Sequence, residues 1–199
     1  MAFSKEEASD FCESDIGKSL IKSEVAILLH EIHKGEKVLD VGSGLGIIEK
    51  YLTGMDITGL ESSEEMLASS RRNLKNLFVK GRAENLPFLK ETFDLALFSV
   101  LPDPVTEYAR ALNEIVAVLK KKGRIIIPTL NSDSAYFSAL SKYKPGYAEM
   151  ARSVRLDYLE EAMPKLMKFT EVKTIDILHA LGSNAAKRPD MYVAIYSKP

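Results

Sequence analysis

The chain is poor in the residues that build covalent or metal-linked scaffolds. Cys12 is its only cysteine, tryptophan is absent, and three histidines are present among 199 residues. A single cysteine excludes an intramolecular disulfide and a cysteine-ligated metal cluster. His30 and His33 share a helical face, but no further ligand completes a set, so we predict no metal site. A lone thiol is typical of a reducing, cytoplasmic setting.

The chain also lacks an excess of charge and any long hydrophobic run. Its 27 Lys and Arg nearly balance its 28 Asp and Glu, so we expect no nucleic-acid partner. No window approaches the ~20 apolar residues of a membrane span, and the first residues have no apolar signal-peptide core. We therefore expect a single cytoplasmic domain over residues 1–199 and no membrane association.

Short apolar runs alternate with helical patterns and predict an α/β fold. Strands are predicted at 38–41, 56–60, 76–80, 93–98 and 124–128, with a closing hairpin from 169–178 and 190–197. Helices are predicted between the first five strands, the last of which has an apolar stripe from Tyr108 to Leu119 and ends at Gly123. A further helix is predicted at 157–167. This alternation predicts a doubly wound sheet of about seven strands, mostly parallel with one antiparallel strand, covered by helices on both faces.

Three segments stand apart from this alternation. Residues 1–33 carry a helical stripe and are predicted to form an N-terminal helical cap. Residues 131–155 are polar and aromatic and are predicted to form a lid or substrate insertion. The run 120–122 consists of three lysines before a glycine and is interpreted as a solvated helix end.

A glycine turn, Gly42-Ser43-Gly44-Leu45-Gly46, joins the first strand to the next helix. Glycines there permit positive φ and a close ligand approach, and ligands of open α/β sheets bind beyond the carboxyl ends of strands. Ile47 and Ile48 stand where a phosphate-binding loop needs Lys and Ser or Thr, which excludes that loop. The dinucleotide fingerprint also fits poorly, because Ile47 occupies its third glycine position.

Two carboxylates indicate the charge of the ligand. Asp40 lies two residues before the turn, where it would repel a pyrophosphate but attract a cation. Glu61 ends the second strand, where a carboxylate can accept hydrogen bonds from ribose hydroxyls. S-adenosyl-L-methionine (SAM) has a ribose, a sulfonium and an ammonium but no phosphate, so it fits both positions.

The ordered motifs resemble class I SAM-dependent methyltransferases, and in particular the methyltransferase type 11 domain. The resemblance runs over about residues 36–130 and consists of Val38 to Gly46, Gly59 to Leu67, Gly81 to Phe88 with Phe93-Asp94-Leu95, and Leu112 to Ile125. It implies a Rossmann-like sheet, SAM as methyl donor and S-adenosyl-L-homocysteine (SAH) as product. The implied cofactor-binding residues are Asp40, Gly42, Ser43, Gly44, Gly46, Glu61, Ser62, Met66, Arg82, Ala83, Glu84, Ser99 and Val100.

Two departures from the family leave the acceptor chemistry open. Arg82 stands where relatives commonly have an acidic residue that accepts from the adenine amino group, and arginine cannot accept. The stretch 99–104 lacks the histidines that many relatives have there, so no catalytic residue is assigned. We expect a small-molecule acceptor. A dinucleotide-dependent oxidoreductase and a non-catalytic SAM-binding protein are the alternative hypotheses.

Overall fold

The computed structural model describes residues 4–99, 108–152, 163–177 and 188–199. Its strands are β1 Lys37–Val41, β2 Asp56–Glu61, β3 Leu77–Lys80, β4 Phe93–Phe98, β5 Leu119–Leu130, β6 Lys168–Ile175 and β7 Met191–Ser197. Its helices are α1 Lys5–Glu13, α2 Asp15–Glu31, α3 Ile47–Tyr51, α4 Glu64–Asn73, α5 Tyr108–Val118, α6 Ala135–Tyr143 and α7 Pro145–Arg152.

The seven strands form one sheet in the order β3-β2-β1-β4-β5-β7-β6. Strands β1 to β5 pair in parallel, whereas β7 is antiparallel to both β5 and β6. The doubly wound α/β fold with one antiparallel strand is thus confirmed. The strand order reverses between β1 and β4, which is the point where open α/β sheets bind ligands.

The N-terminal region forms two capped helices that pack on one face of the sheet. Ser4 and Glu7 close a reciprocal capping box at α1, and the Ser14 side chain accepts from the Gly17 amide to start α2. Such caps satisfy amide donors that a helix start leaves free. Apolar residues of α2, such as Leu20 and Leu28, are buried in one core cluster with β1, β4, α6 and α7. This packing brings α1, α2 and α7 over the carboxyl ends of β1 and β4.

The predicted end of α5 at Gly123 is wrong. The helix ends at Val118, and β5 begins at Leu119, so the lysine run 120–122 lies in a strand rather than at a helix end. The pairing of β5 with β4 shifts register here, and Lys122 has a φ of 62°. Lys120 forms an ion pair with Asp94 across the two strands at 2.7 Å. These contacts are distant in sequence, so the local helical pattern does not reveal them.

Several predictions concern residues outside the described ranges. These are Val100, the first part of the helix predicted at 157–167, and most of the loop between the last two strands. Of the predicted helix, residues 163–166 are helical. In the described part of the chain, no helix is long and apolar enough to cross a membrane.

Candidate active site

A cleft opens at the carboxyl ends of β1, β2 and β4, beneath α1 and α2. It holds about 1120 Å³ of atom-free space, its solvent-open mouth included. Its lining residues are Ala8, Phe11, Cys12, Leu20, Ile21, Glu24, Asp40, Gly42, Ser43, Gly44, Leu45, Ile47, Ile48, Glu61, Ser62, Ser63, Met66, Leu97, Ser99 and Tyr147. The structure thus brings together eight of the predicted site residues: Asp40, Gly42, Ser43, Gly44, Glu61, Ser62, Met66 and Ser99.

Glu61 ties the end of β2 to the glycine turn. Its Oε2 accepts from the backbone amide of Gly44 at 2.9 Å, and its Oε1 accepts from the amide of Ser63 at 2.6 Å. Gly44 can present its amide this way because its φ is +55°, in the region that favours glycine. A carboxylate oxygen has two lone pairs. The Ser62 hydroxyl also donates to Oε1, at 3.5 Å, so Oε2 is the oxygen that keeps acceptor capacity for a ribose hydroxyl.

Gly44 and Gly46 have different surroundings, although they share the turn. A Cβ built on Gly44 would meet only the Met66 sulfur at 3.9 Å, so this side of the turn is open. A Cβ on Gly46 would lie 2.5 Å from Leu74 Cδ1 and 2.9 Å from Phe78 Cζ. Gly46 is not among the lining residues. Its contacts indicate close packing of the turn against the end of α4 and β3.

Two buried carboxyl groups line the cleft near enough to affect each other electrostatically. Asp40 is 4% exposed and Glu24, from α2, is 8% exposed. The Ser99 hydroxyl donates to Glu24 Oε1 at 3.3 Å. Burial, together with the charge of Asp40, raises the pKa of Glu24 to about 8. Burial, together with the charge of Glu61, raises the pKa of Asp40 to about 7.

A third buried carboxyl group lies behind the glycine turn. Glu49 of α3 is 0% exposed, and its carboxyl group lies against that of Asp40, to which it can donate a hydrogen bond when it is protonated. The buried Ser43 hydroxyl has no hydrogen-bond partner among the described residues. Burial and the charge of Asp40 raise the pKa of Glu49 to about 9. The residues that line the cleft include no Lys, Arg or His. A ligand with positive charge would therefore favour the ionised forms of Asp40 and Glu24.

The outer wall of the cleft is aromatic and apolar. Phe11 of α1 stacks on Tyr147 of α7 with ring centroids 4.4 Å apart. Cys12 lies beside them, and burial with the charge of Glu24 raises the pKa of its thiol to about 11. In the described ranges, no three His, Cys, Asp or Glu side chains are grouped as metal ligands would be.

The predicted adenine-side residues lie in the turn after β3. The Arg82 guanidinium donates to Glu84 Oε1 at 2.9 Å and is 59% exposed, whereas Glu84 and Ala83 are mostly buried. The turn adjoins Glu61, whose carbonyl accepts from the Gly81 amide at 3.1 Å. None of Arg82, Ala83 and Glu84 lines the cleft, so their contact with adenine stays a prediction.

Sequence reasoning gave Glu24 and Tyr147 no individual role in the site. Glu24 had a detectable signal, because it interrupts the apolar stripe of α2 between Leu20 and Leu28, four residues from each. A carboxyl group on the buried face of a helix requires compensation and is a candidate functional group. Tyr147 belongs to the aromatic segment predicted as a lid, so the sequence marked it only as one of several aromatics that either wall a pocket or pack in the core.

The comparisons with known proteins agree with this architecture. A solved structure from Thermotoga maritima, described as a SAM-dependent methyltransferase and possible histamine N-methyltransferase, superposes with a TM-score of 0.76 at 23% identity, covering 98% of this chain and 95% of that one. At that identity the similarity establishes the fold. The fold is that of the Rossmann-like methyltransferases.

Sequence similarity then identifies the family. Residues 39–127 match the methyltransferase domain family. A demethylmenaquinone methyltransferase of Thermotoga maritima is 36% identical over 53% of this chain and 48% of its own length. One from Paenarthrobacter aurescens is 27% identical over 82% of this chain and 54% of its own. The chain spans about half the length of these curated relatives. The family match, these relatives and the fold together support a class I SAM-dependent methyltransferase of the type 11 kind, and they imply SAM as the methyl donor.

Proposed function

We propose that this chain transfers a methyl group from SAM to a small-molecule acceptor. The observation that carries the proposal is the cleft at the glycine turn, where Glu61 keeps acceptor capacity beside the open Gly44. The buried Asp40 and the lack of basic lining residues in the described chain match a ligand with positive centres and no phosphate.

The predicted site residues take separate roles in this proposal. Glu61 holds the ribose hydroxyls, and Ser62 and Met66 lie along the adenosine. The backbone of Gly42 and Gly44, with Asp40, holds the methionine part. Ser43 and Ser99 lie on the same side as Asp40, where a hydroxyl can donate to a carboxylate or accept from an ammonium. In the same proposal, Gly46 supports the turn from behind, and Arg82, Ala83 and Glu84 flank the adenine.

The catalytic contribution of the protein is positioning. The sulfonium supplies an already activated methyl group for in-line attack. The chain therefore has to orient the acceptor, exclude water and accept a proton where the acceptor carries one. The helices within 1–33 and 131–155 would form the wall that does this, as cap and lid of a single domain over 1–199.

The names of relatives cover several acceptor chemistries. Curated relatives include demethylmenaquinone methyltransferases and a malonyl-[acyl-carrier protein] O-methyltransferase, and the Thermotoga maritima structure is a possible histamine N-methyltransferase. We infer a small organic acceptor, which suits a cleft with an apolar, aromatic wall. We place the protein in the cytoplasm, without a nucleic-acid partner and away from membranes.

A ligand comparison tests the proposal. Thermal unfolding is measured with SAM, SAH and NAD, because a ligand that binds the folded state raises the midpoint. We expect stabilisation by SAM and SAH; stabilisation by NAD alone would favour the oxidoreductase hypothesis. SAH release is then measured with amines, phenols, quinols and carboxylic acids. Binding of SAM without turnover across that panel would favour the non-catalytic hypothesis.

A further inference from the structure

Glu24 is buried at the one place in the cleft where α2 meets the ends of β1 and β4. Its Oε1 accepts from Ser99, and the nearby ionisable groups are Asp40 on β1, Cys12 on α1, Tyr136 on α6 and Tyr147 on α7. None of these neighbours is a base that would be cationic at neutral pH. Glu24 thus lacks a cationic partner within the described residues.

An aromatic pair lines the same cleft, and Tyr147 is near enough for the charge of Glu24 to raise the pKa of its hydroxyl. Phe11 and Tyr147 stack there, and Leu20 and Ile21 complete an apolar wall. A carboxylate beside aromatic rings is the combination that recognises organic ammonium groups, through charge and cation–π attraction. Asp40 lies beside the glycine turn and serves the methyl donor in the proposed function, so Glu24 is the carboxyl group left for the acceptor.

We propose that the methyl acceptor is an organic amine and that Glu24 binds its ammonium group and accepts its proton. The inference rests on the proposed function, since it assigns the acceptor side of the same cleft. Glu24 is a catalytic residue in this scheme because it contacts the acceptor directly. Phe11 and Tyr147 hold the carbon skeleton of the amine.

The proposed N-methylation consists of a deprotonation, a methyl transfer and the release of a proton. The Glu24 carboxylate takes one proton from the bound ammonium, which frees the nitrogen lone pair. That pair forms the bond to the methyl carbon as the carbon–sulfur bond breaks, and the breaking pair stays on sulfur, which becomes a neutral thioether. The N-methylated product keeps the positive charge, and the proton on Glu24 passes to solvent.

The environment of Glu24 suits this proton transfer. An alkylammonium has a pKa of about 10, and an ordinary carboxylate is too weak a base to deprotonate it efficiently. Burial brings the pKa of Glu24 to about 8. The difference between this pKa and that of the ammonium is therefore smaller, which makes proton transfer to Glu24 more favourable. The same burial excludes water that would otherwise solvate the ammonium.

Paired probes test the acceptor class on the wild-type protein. 2-Phenylethylamine and 2-phenylethanol share a skeleton and differ in the charged nitrogen. We expect methylation of the amine at least 100-fold faster than of the alcohol. SAM-dependent turnover of phenols, quinols or carboxylic acids with none of an amine panel would overturn this inference but leave the proposed methyl transfer intact. If SAM did not bind, the proposed function itself would fail.

A substitution tests the residue. Glu24→Gln removes the charge and keeps the shape, and Glu13→Gln is the control, because Glu13 is an exposed carboxylate of α1. We expect Glu24→Gln to bind SAM within about threefold of wild type by calorimetry. It should lose at least 100-fold in amine turnover at about pH 8.5, where Glu24 is mainly ionised and the amine mainly protonated, and recover rate only toward pH 10, where free amine is present. A loss of SAM affinity as large as the loss of turnover would place Glu24 on the methyl donor and overturn the assignment.

Discussion

The carboxylate of Glu61 joins two segments of the cleft by accepting from the amides of Gly44 and Ser63. One side chain at the end of β2 therefore sets the shape of the glycine turn and the start of α4. In the proposed function the same carboxylate accepts from the ribose, so ligand binding and turn geometry depend on one group.

Replacing Glu61 with Gln should weaken SAM binding by ~1–3 kcal/mol. A glutamine side chain has one accepting oxygen, and its NH₂ group would face a backbone amide that also donates. Isothermal calorimetry measures the affinity, with Glu65→Gln as the control because Glu65 is an exposed neighbour on α4. Unchanged affinity in Glu61→Gln would mean that the ribose lies elsewhere.

The two glycines of the turn should respond differently to alanine. Gly46→Ala brings a methyl group within 2.5 Å of Leu74 and adds strain at a φ of +73°, so it should lower the free energy of unfolding by about 2 kcal/mol or more. Gly44→Ala has space for its methyl group and carries only the strain, about 1 kcal/mol.

Gly44→Ala should nevertheless weaken SAM binding by more than its small loss of stability would explain. The reason is that its methyl group occupies the open side of the turn. Chemical denaturation and calorimetry on the two variants separate the effects. If Gly46→Ala were as stable as wild type, the close packing against α4 and β3 would be incorrect.

Glu49→Gln should stabilise the protein at neutral and alkaline pH. The pKa of Glu49 rises from about 4.5 in the unfolded chain to about 9 in the fold, so its contribution to stability is fully present below pH 4.5 and is lost as pH rises through 9. The neutral glutamine amide has no such pH-dependent loss. The free energy of unfolding of Glu49→Gln should therefore exceed that of wild type by on the order of 1–3 kcal/mol at pH 8.

The measurement is thermal unfolding of wild type, Glu49→Gln and the control Glu65→Gln at pH 5 and pH 8. The midpoint gain of Glu49→Gln over wild type should be larger at pH 8 than at pH 5. An equal rise in midpoint at both pH values would show that ionisation of Glu49 does not destabilise the fold between pH 5 and pH 8.

Asp94 has a structural role, so its replacement should affect stability and leave ligand binding unchanged. Its carboxylate accepts from Lys120 Nζ at 2.7 Å and from the Lys37 amide at 2.9 Å. Although burial raises the pKa of Asp94, these hydrogen bonds hold it below its usual range. The stabilisation that ionised Asp94 gives the fold is present above pH 3.8, and it is lost as pH falls through the lower pKa of Asp94 in the folded state.

Asp94→Asn should therefore lower the free energy of unfolding at pH 7 by about 1 kcal/mol, a modest figure because Lys120 is partly exposed. Denaturant titrations at pH 7 and pH 3 measure it, and the difference from wild type should shrink at pH 3. SAM affinity should not change. A weaker affinity for SAM would contradict the structural assignment.

Local sequence was sufficient for the features that depend on neighbouring residues. The glycine turn and the strand end at Glu61 each follow from a few adjacent residues, and the structure brings both to the cleft. The alternation of strands and helices likewise predicted a sheet with a single antiparallel strand, because each element carries its own hydrophobic period.

Features that depend on long-range packing were not predictable in this way. Tyr147 reaches the cleft through the packing of α7 on α1, and Glu24 through the packing of α2 on the sheet. The start of β5 at Leu119 depends on its ladder with β4 and on the Lys120–Asp94 ion pair. Tertiary contacts of this kind override local helix propensity.

The position of β7 between β5 and β6 has a consequence for synthesis on the ribosome. Strand β5 completes its ladder only when residues 191–197 have been made, although it precedes them by about 60 residues. Until then the long edge of β5 is unpaired and open to other strands. Strands β1 to β5 can pair as a five-stranded parallel sheet as they emerge. Strand β7 then inserts between β5 and β6, which are both made before it.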